Sequence, residues 1–207
     1  MTHEFDEQGI IDANNAIDRE SEDAQRPGGS QATQLVKLAE TYEFWYTPDG
    51  EPFATIDVGD HFENWPVNSR NFRSRLSEAF YRMNGTTPRT QAIQDALAAL
   101  IGKAFFDGLE HSVFTRIGQD SSGIYLDLCN SDWQAVHIDT SGWKVVAKPP
   151  VRFRRSKSAM AIQMPSQTGD LELLKRFLNT RDSDDFKLII AWLCQAMMPV
   201  GPYPVLP

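Results

Sequence analysis

The fold is decided by residues 44–56, which read Phe-Trp-Tyr-Thr-Pro-Asp-Gly-Glu-Pro-Phe-Ala-Thr-Ile. The run Pro48-Asp49-Gly50 separates two stretches rich in aromatic and β-branched residues. Proline presets φ for a turn and glycine accepts a positive φ, so this pattern predicts a β-hairpin. Gly59-Asp60 then precedes residues 61–67, where we expect a third strand.

Helical periodicity flanks this hairpin on both sides. Residues 34–43 carry apolar side chains at the spacing of a short amphipathic helix. A second helix is predicted after the third strand, capped by Asn68-Ser69 and followed by Gly85. Thr87 and Pro88 predict the start of another helix, which the short connection makes a neighbour of the first. The apolar face of the capped helix consists of Phe72, Leu76, Phe80 and Met83.

The second half of the chain returns to the period of strands. Residues 113–117 and 124–128 flank a turn-rich segment, as do residues 135–138 and 143–146, and each pair predicts a hairpin. In residues 124–128, apolar positions alternate with Tyr125 and Asp127, which is typical of a half-buried strand. We expect Lys148-Pro149-Pro150 to close this sheet region. Two helices are predicted next, the first capped by Asp170 and the second opened by Asp184-Asp185.

These patterns together predict an α+β fold of antiparallel hairpins with a helical hairpin and a C-terminal helical pair. Residues 1–33 contain too few apolar side chains to offset the conformational entropy lost on folding, so we expect most of them to be disordered. A short helix over Ile10–Ile17 is the alternative. We divide the chain into an acidic, largely disordered leader (1–33), an α+β body (34–150), a basic linker (151–169) and a helical segment (170–207).

The negative charge of the chain is concentrated in the acidic leader. The formal net charge is −8, and the leader contains eight acids and two bases, so the rest of the chain carries only −2. An acidic total does not exclude contact with nucleic acid, because binding depends on local patches of cations.

The lack of a recognisable targeting signal and the pattern of cysteines predict a cytoplasmic protein that does not contact a membrane. No apolar run approaches the roughly 20 residues that cross a bilayer, and the acidic start lacks the order of a signal peptide. Cys129 and Cys194 are far apart and have no neighbours typical of metal or redox motifs. We interpret both as reduced core residues.

Several segments in this order resemble one known family. The resemblance is to the region ahead of the P-loop ATPase domain in bacterial and phage-type ATP-binding proteins related to prophage primase-helicases, and it covers about residues 34–207. The segments that carry it are Tyr46-Thr47-Pro48-Asp49-Gly50-Glu51-Pro52-Phe53-Ala54-Thr55, Trp65-Pro66-Val67-Asn68-Ser69-Arg70-Asn71-Phe72-Arg73, Gln94-Asp95-Ala96-Leu97, Ile124-Tyr125-Leu126-Asp127-Leu128, Gly142-Trp143-Lys144-Val145-Val146, Pro150-Val151-Arg152-Phe153-Arg154-Arg155 and Gly201-Pro202-Tyr203-Pro204-Val205-Leu206.

The resemblance implies a parent protein that is a P-loop ATPase, with this chain as an accessory region. In the family, the Pro-Tyr-Pro-Val-Leu segment leads into a strand and a phosphate loop ending in Gly-Lys-Ser/Thr, and this sequence contains no such loop. ATP and Mg²⁺ are therefore expected only in a downstream domain, which would be a partner of this region. We expect no cofactor, no metal and no catalytic residue here.

The best candidate for a binding site is a short basic run after the third hairpin. Arginine and lysine neutralise phosphates, and an aromatic side chain among them could stack on a base. The alternatives are a solvated linker or a segment that docks on the ATPase domain. The candidate residues are Arg152, Phe153, Arg154, Arg155 and Lys157.

The helical hairpin supplies a second group of cations. Arg70, Arg73 and Arg75 lie on the first helix, where we expect contact with phosphates. A helix-turn-helix that reads bases is less favoured, because the second helix carries little charge. An ordinary packed hairpin is the alternative to both.

Three further constellations are weaker. Cys129 and His137 are a conceivable nucleophile and base, but a core thiol and a strand histidine explain them better. Asp57 with Asp60 would suit metal chemistry only with a third carboxylate. The acids near position 184 are expected to be helix caps.

The sequence therefore predicts a non-catalytic, nucleic-acid-associated module of a phage-type replication ATPase, with single-stranded or duplex DNA as its ligand. The alternative is a protein-interaction or oligomerisation module that seats the ATPase domain without binding DNA, including assembly into a homo-oligomer.

Overall fold

The computed structural model describes residues 29–205, and they form the α+β fold that the sequence predicts. One unit contains the described residues up to Ile56 together with Trp65–Glu110, and the other contains Asp57–Asn64 and the described residues from His111 onward. The possible helix over Ile10–Ile17 and most of the acidic leader lie outside the described residues.

The described chain up to Glu110 contains three helices and a four-stranded sheet. The sheet has the order β3-β2-β1-β4, in which β1 pairs antiparallel with β2 and parallel with β4. The elements are α1 (Gln31–Leu38), β1 (Glu43–Tyr46), β2 (Pro52–Asp57), β3 (Phe62–Pro66), α2 (Arg70–Asn84), α3 (Thr90–Phe106) and β4 (Leu109–Glu110).

The hairpin of β1 and β2 confirms the prediction from the Pro-Asp-Gly turn. Gly50 has φ of 80°, a conformation that residues with a Cβ rarely adopt. The Trp45 and Phe53 rings stack with their centroids 4.6 Å apart, and Trp45 Nε1 donates a 2.9 Å hydrogen bond to Thr55 Oγ1. The turn and the cross-strand pairs therefore fix the same register.

A hydrophobic core joins the three helices to this sheet. The predicted apolar face of α2 is confirmed for three of its four residues, while Met83 in the last turn is 54 % exposed. The buried core residues are Leu35, Ala39, Phe44, Ala54, Ile56, Val67, Phe72, Leu76, Phe80, Ala96, Leu97, Leu100 and Ala104.

Two helix boundaries differ from the prediction. Helix α1 begins at Gln31, so the last three residues assigned to the acidic leader belong to this helix. Helix α3 begins at Thr90 with Arg89 as its N-cap, not at Thr87 and Pro88. Arg89 is extended, with ψ of 147°, and its backbone N–H donates to Gln31 Oε1 at 2.9 Å. This bond to α1 holds Arg89 outside the helix.

From His111 onward, strands again precede helices. Strands β6 to β9 form an antiparallel four-stranded meander, and β5 pairs in parallel with β10. The elements are β5 (Val113–Phe114), β6 (Ile117–Asp120), β7 (Gly123–Asp127), β8 (Ala135–Asp139), β9 (Gly142–Val146), β10 (Arg152–Phe153), a 3₁₀ helix (Leu171–Phe177) and α4 (Ser183–Ala196).

The pairing in this region corrects two expectations. The hairpin of β8 and β9 forms as predicted, but in the preceding hairpin β7 pairs with β6, while Val113–Phe114 pairs with β10. Lys148-Pro149-Pro150 consequently does not close the sheet region. Val151 and Phe153 are buried, so the segment predicted to be a basic linker begins within a hydrophobic core.

Both predicted C-terminal helices form, the first as a 3₁₀ helix with the predicted cap Asp170, the second with Asp182 as its N-cap and Asp184-Asp185 in its first turn. Asp170 accepts a hydrogen bond from Glu172 N, and Asp182 accepts from the N–H groups of Asp184 and Asp185. Phe186 is the one buried residue of α4, whereas Cys194, which we expected in a core, is exposed. Within the described part of the chain, no helix has the length and apolar character to span a membrane.

Two glycines near the end of α3 allow a matched test of this packing. A Cβ at Gly108 would contact Ala104 O and lie 2.6 Å from Phe44 O, whereas one at Gly102 would meet nothing within 4 Å. Gly108→Ala should destabilise the protein by about 1–3 kcal/mol, since backbone must shift. Gly102→Ala should stabilise it by about 0.5–1 kcal/mol, because it replaces glycine inside a helix. Urea denaturation followed by circular dichroism measures both, and equal midpoints would contradict this packing.

Candidate nucleic-acid interface

The arginines predicted to contact phosphate lie on a helix with well-defined ends. Ser69 is the N-cap of α2, and its Oγ accepts a hydrogen bond from Phe72 N at 3.1 Å. Gly85 ends the helix with φ of 70°, and its N–H donates to Tyr81 O at 2.8 Å. These caps and the buried apolar face fix the side of α2 that faces outward.

The first six residues of α2 contain three arginines. Arg70 and Arg73 are exposed, and Arg75 is half-buried. None of the three forms an ion pair with a carboxylate among residues 29–205, whereas Arg82 on the same helix pairs with Glu78. The start of α2 therefore presents positive charge that the described residues do not neutralise.

The position of these cations on the helix is itself unfavourable. The N-terminal end of a helix carries a partial positive charge, so acids stabilise the first turn and bases weaken it. The first turn of α2 contains no acid, and Arg70 is its first residue. Arginine side chains and helix end thus add to the same positive potential, which favours a bound anion.

Helix α3 is not suited to read bases. Its exposed polar residues are Thr90, Gln91, Gln94 and Asp95, with Ala98 and Ala99 following on the exposed surface. Base recognition in the major groove usually uses arginine, lysine, asparagine or glutamine on one recognition helix. Of the two glutamines on this surface, Gln91 already donates a hydrogen bond to Asp95 Oδ1 at 2.8 Å, and the helix has no exposed arginine or lysine. This surface therefore favours contact with phosphates through α2 over recognition of bases by α3.

The basic run after β9 is divided between the fold and the surface. Arg152 is half-buried in β10, opposite Val113 of β5. Arg154 is exposed, and its backbone N–H donates to Phe114 O at 2.8 Å. Lys157 is also exposed. The strand pairing therefore holds the beginning of the run in place.

Phe153 is not placed to stack on a base. Its side chain is 3 % exposed and packs in a core with Tyr125, Ala135 and Val151. A base would have to displace this packing to reach the ring. The burial of an alternate residue in a short strand explains why Phe153 stands between two cations.

The side chain of Arg155 is mostly buried and binds groups within the protein. Its Nη2 lies 2.6 Å from Asp127 Oδ1 and its Nε lies 3.0 Å from Asp127 Oδ2, a bidentate pair. Its Nη1 donates to Asn130 O at 2.5 Å, and the guanidinium lies 3.9 Å from the Trp133 ring centroid. The geometry therefore supports a structural role for Arg155 and not the predicted phosphate contact.

The same carboxylate organises the loop that follows β7. Asp127 accepts hydrogen bonds from Cys129 N at 3.0 Å and from Cys129 Sγ at 3.1 Å. Cys129 and Trp133 adopt positive φ values of 49° and 53°. Such conformations are unfavourable for these residue types. The hydrogen bonds to Asp127 stabilise the one at Cys129, and the Arg155 guanidinium packs on the ring of Trp133.

The possible nucleophile and base, Cys129 and His137, have separate partners. Burial, together with the hydrogen bond to Asp127, raises the pKa of the Cys129 thiol to about 11, so the thiol stays protonated near neutral pH. His137 stacks on Tyr125 with ring centroids 4.6 Å apart, and its Nε2 lies 3.3 Å from Ser122 Oγ. This geometry supports the structural reading of both residues.

The acidic candidates are also engaged in local structure. Asp57 accepts from Gly59 N at 2.8 Å and from Lys148 Nζ at 3.3 Å, and these bonds lower its pKa. Asp60 lies 2.7 Å from His61 Nδ1, which lowers the pKa of that carboxyl. Among residues 29–205 no group of three or more His, Cys, Asp and Glu side chains is arranged to hold a metal ion.

Sequence reasoning missed the role of Asp127. The alternation in residues 124–128 was visible, but it suggested Ile124 and Leu126 as the covered face. The structure buries Tyr125 and Asp127 at 4 % and 1 % exposure, while Ile124 and Leu126 are half-buried and Leu128, just past the strand, is 1 % exposed. An acid on the buried side requires a cation, and Arg155, 28 residues later, was the signal that could have identified it.

Comparison with known proteins adds no assignment to this geometry: no protein-family model, no curated protein and no solved structure matches the chain. The functional proposal therefore rests on the residues themselves.

The buried pair allows a direct test of its structural role. Arg155→Ala should destabilise the protein by about 3–5 kcal/mol, because it leaves the carboxylate of Asp127 buried without a cation. Lys157→Ala is the matched control, since it removes one exposed cation from the same segment and should change stability by less than about 0.5 kcal/mol. Chemical denaturation compares the two, and equal midpoints would show that the pair is dispensable.

Proposed function

We propose that this chain is a nucleic-acid-associated accessory module that binds the phosphate backbone through Arg70, Arg73 and Arg75. The observation that carries the proposal is the group of three arginines at the start of α2, without carboxylate partners in the described chain. Arg70, the first residue of α2, stands at the helix end where a cation weakens the helix. A bound phosphate would reverse that unfavourable term.

Phosphate is the ligand that this arrangement fits best. Arginine binds phosphate oxygens through parallel N–H groups, and its weakly hydrated guanidinium loses little on desolvation. Two exposed arginines three residues apart lie on neighbouring turns of one helix surface. A repeating polyanion can therefore engage more than one of them at once, with release of counterions.

The exposed cations of the 151–157 segment give secondary support. Arg152, Arg154 and Lys157 remain partly or fully exposed after the two structural residues are set aside. They are proposed as a separate, second group of phosphate contacts. Positioning of nucleic acid for a phage-type replication ATPase would follow from the resemblance of residues 34–207, with ATP and Mg²⁺ bound in a separate domain.

Fluorescence anisotropy with labelled single-stranded and duplex DNA tests the proposal. Arg73→Ala should weaken binding of every sequence alike and reduce the slope of log K against log salt by about 1. The triple change Arg70→Ala, Arg73→Ala and Arg75→Ala should reduce that slope by about 3. Alanine is a good helix former, so circular dichroism should show an intact α2.

Arg82→Ala is the control on the same helix, because it removes an equal charge that Glu78 already neutralises. It should change binding much less than Arg73→Ala does. Equal binding by the triple variant and the wild type would discard the α2 site, and absence of wild-type binding at low salt would discard the nucleic-acid function.

A second candidate function, protein–protein contact, is favoured by the surface of α4. Leu188 is 67 % exposed and Leu193 36 %, and Phe177 in the preceding 3₁₀ helix is 83 % exposed. Exposed large apolar side chains such as these are frequent at surfaces that bind another protein. Self-association of the chain is the form of this function that is tested most directly.

Light scattering coupled to gel filtration measures that self-association. The wild type should show a mass above that of the monomer which rises with concentration, and Leu188→Lys should return it to the monomer by placing a charge in the interface. Lys187→Ala is the control on the neighbouring exposed position. A wild type that stays monomeric over the accessible range would discard self-association.

A further inference from the structure

Tyr81 is an exposed aromatic side chain on the helix that carries the arginines. Helix α2 contains three aromatic residues, of which Phe72 and Phe80 are buried in the core and Tyr81 is 53 % exposed. The ring and hydroxyl of Tyr81 form no hydrogen bond or aromatic contact among residues 29–205. The ring is therefore accessible to a ligand that binds along α2.

Helix geometry places Tyr81 on the same face of α2 as Arg70. Tyr81 follows Arg70 by eleven residues, which is close to three full turns. The rise of a helix puts Tyr81 about 12 Å beyond Arg73 along the helix axis. Successive phosphates of a stacked strand lie about 3.4 Å apart along its axis, so about three to four nucleotides cover that distance.

The surface between the arginines and Tyr81 on this face consists of small side chains. Ser74 is exposed, and the Ser77 hydroxyl donates a 2.9 Å hydrogen bond to Arg73 O in the preceding turn. Glu78 is the one acid of α2, and it pairs with Arg82. A strand that lies along this face therefore meets no bulky side chain and no unpaired carboxylate of α2.

The two ends of α2 suit different parts of a nucleotide. The N-terminal end of a helix carries a partial positive charge and the C-terminal end a partial negative one. A phosphate is therefore favoured beside Arg70 and disfavoured in the last turn, where Tyr81 stands. A neutral base pays no such penalty, and every base has a flat face that stacks on an aromatic ring.

We propose that Tyr81 stacks on an unpaired base, so that the nucleic acid bound along α2 is a single strand. This inference rests on the proposed function of α2 and names the class of nucleic acid that it binds. The bases inside a duplex are paired and stacked on one another, whereas an unpaired base can turn its face to an aromatic side chain. The arginines then supply affinity for the backbone, and Tyr81 supplies the preference for single strands.

Fluorescence anisotropy of the full-length chain with a labelled single-stranded DNA of mixed sequence tests this inference. Tyr81→Ala should weaken binding about tenfold, because it removes one base–aromatic stack. The slope of log K against log salt should stay that of the wild type, since stacking releases no counterions. Binding of a duplex of the same length should change much less. Tyr81→Phe keeps the ring and should bind the single strand as the wild type does.

Two controls separate stacking from a general effect on the protein. Phe106→Ala removes an 89 % exposed ring at the end of α3 and should leave affinity for the single strand unchanged. An abasic sugar-phosphate strand keeps the phosphates and offers no base, so wild type and Tyr81→Ala should bind it alike. A loss by Tyr81→Ala that is as large on the abasic strand or on the duplex would overturn the inference.

The arginine variants distinguish failure of this inference from failure of the proposed function. If Tyr81→Ala binds the single strand as tightly as the wild type, while the triple arginine variant binds weakly, the inference is wrong and the proposed function stands. Absence of wild-type binding to any DNA at low salt overturns both.

Discussion

The buried ion pair between Asp127 and Arg155 is the constraint on which the second half of the chain depends. Asp127 is 1 % exposed, and a carboxylate at that depth requires a cation and hydrogen bonds to offset its lost hydration. The pair joins the end of β7 to the segment after β10. It thereby fixes the path of the chain past the third hairpin, where local sequence signals give no direction.

This constraint also explains why two residues of the predicted binding site, Phe153 and Arg155, have structural roles instead. A run of cations around one aromatic residue is typical of nucleic-acid binding, but the same residues suit a short strand whose alternate side chains point inward. Phe153 packs in a hydrophobic core, and Arg155 forms an ion pair with the buried carboxylate of Asp127. The difference between the two readings lies in a partner 28 residues earlier, which no local pattern reveals.

Features set by neighbouring residues were predictable from the sequence. Contacts within a few residues determine these features, which are the turn at Gly50, the caps at Ser69 and Asp170, and the hairpin of β8 and β9. The parallel pairing of β5 with β10 was not predictable, because it joins segments about 40 residues apart and neither strand exceeds two residues. The choice of buried face in β7 failed for a related reason. Alternation identifies two faces, and only distant partners decide which one is covered.

At the start of α2, the residues that favour the helix stand beside a residue that destabilises it. The cap at Ser69 and the apolar face favour the helix, while Arg70 in its first turn opposes it. Natural sequences are mostly consistent across such levels, and the inconsistent positions are often those that serve a ligand. For Arg155, the cost of burying a charge is offset within the protein by the ion pair with Asp127. Arg70 and Arg73 have no carboxylate partner in the described chain, and the phosphate contact proposed for them would supply the missing anion.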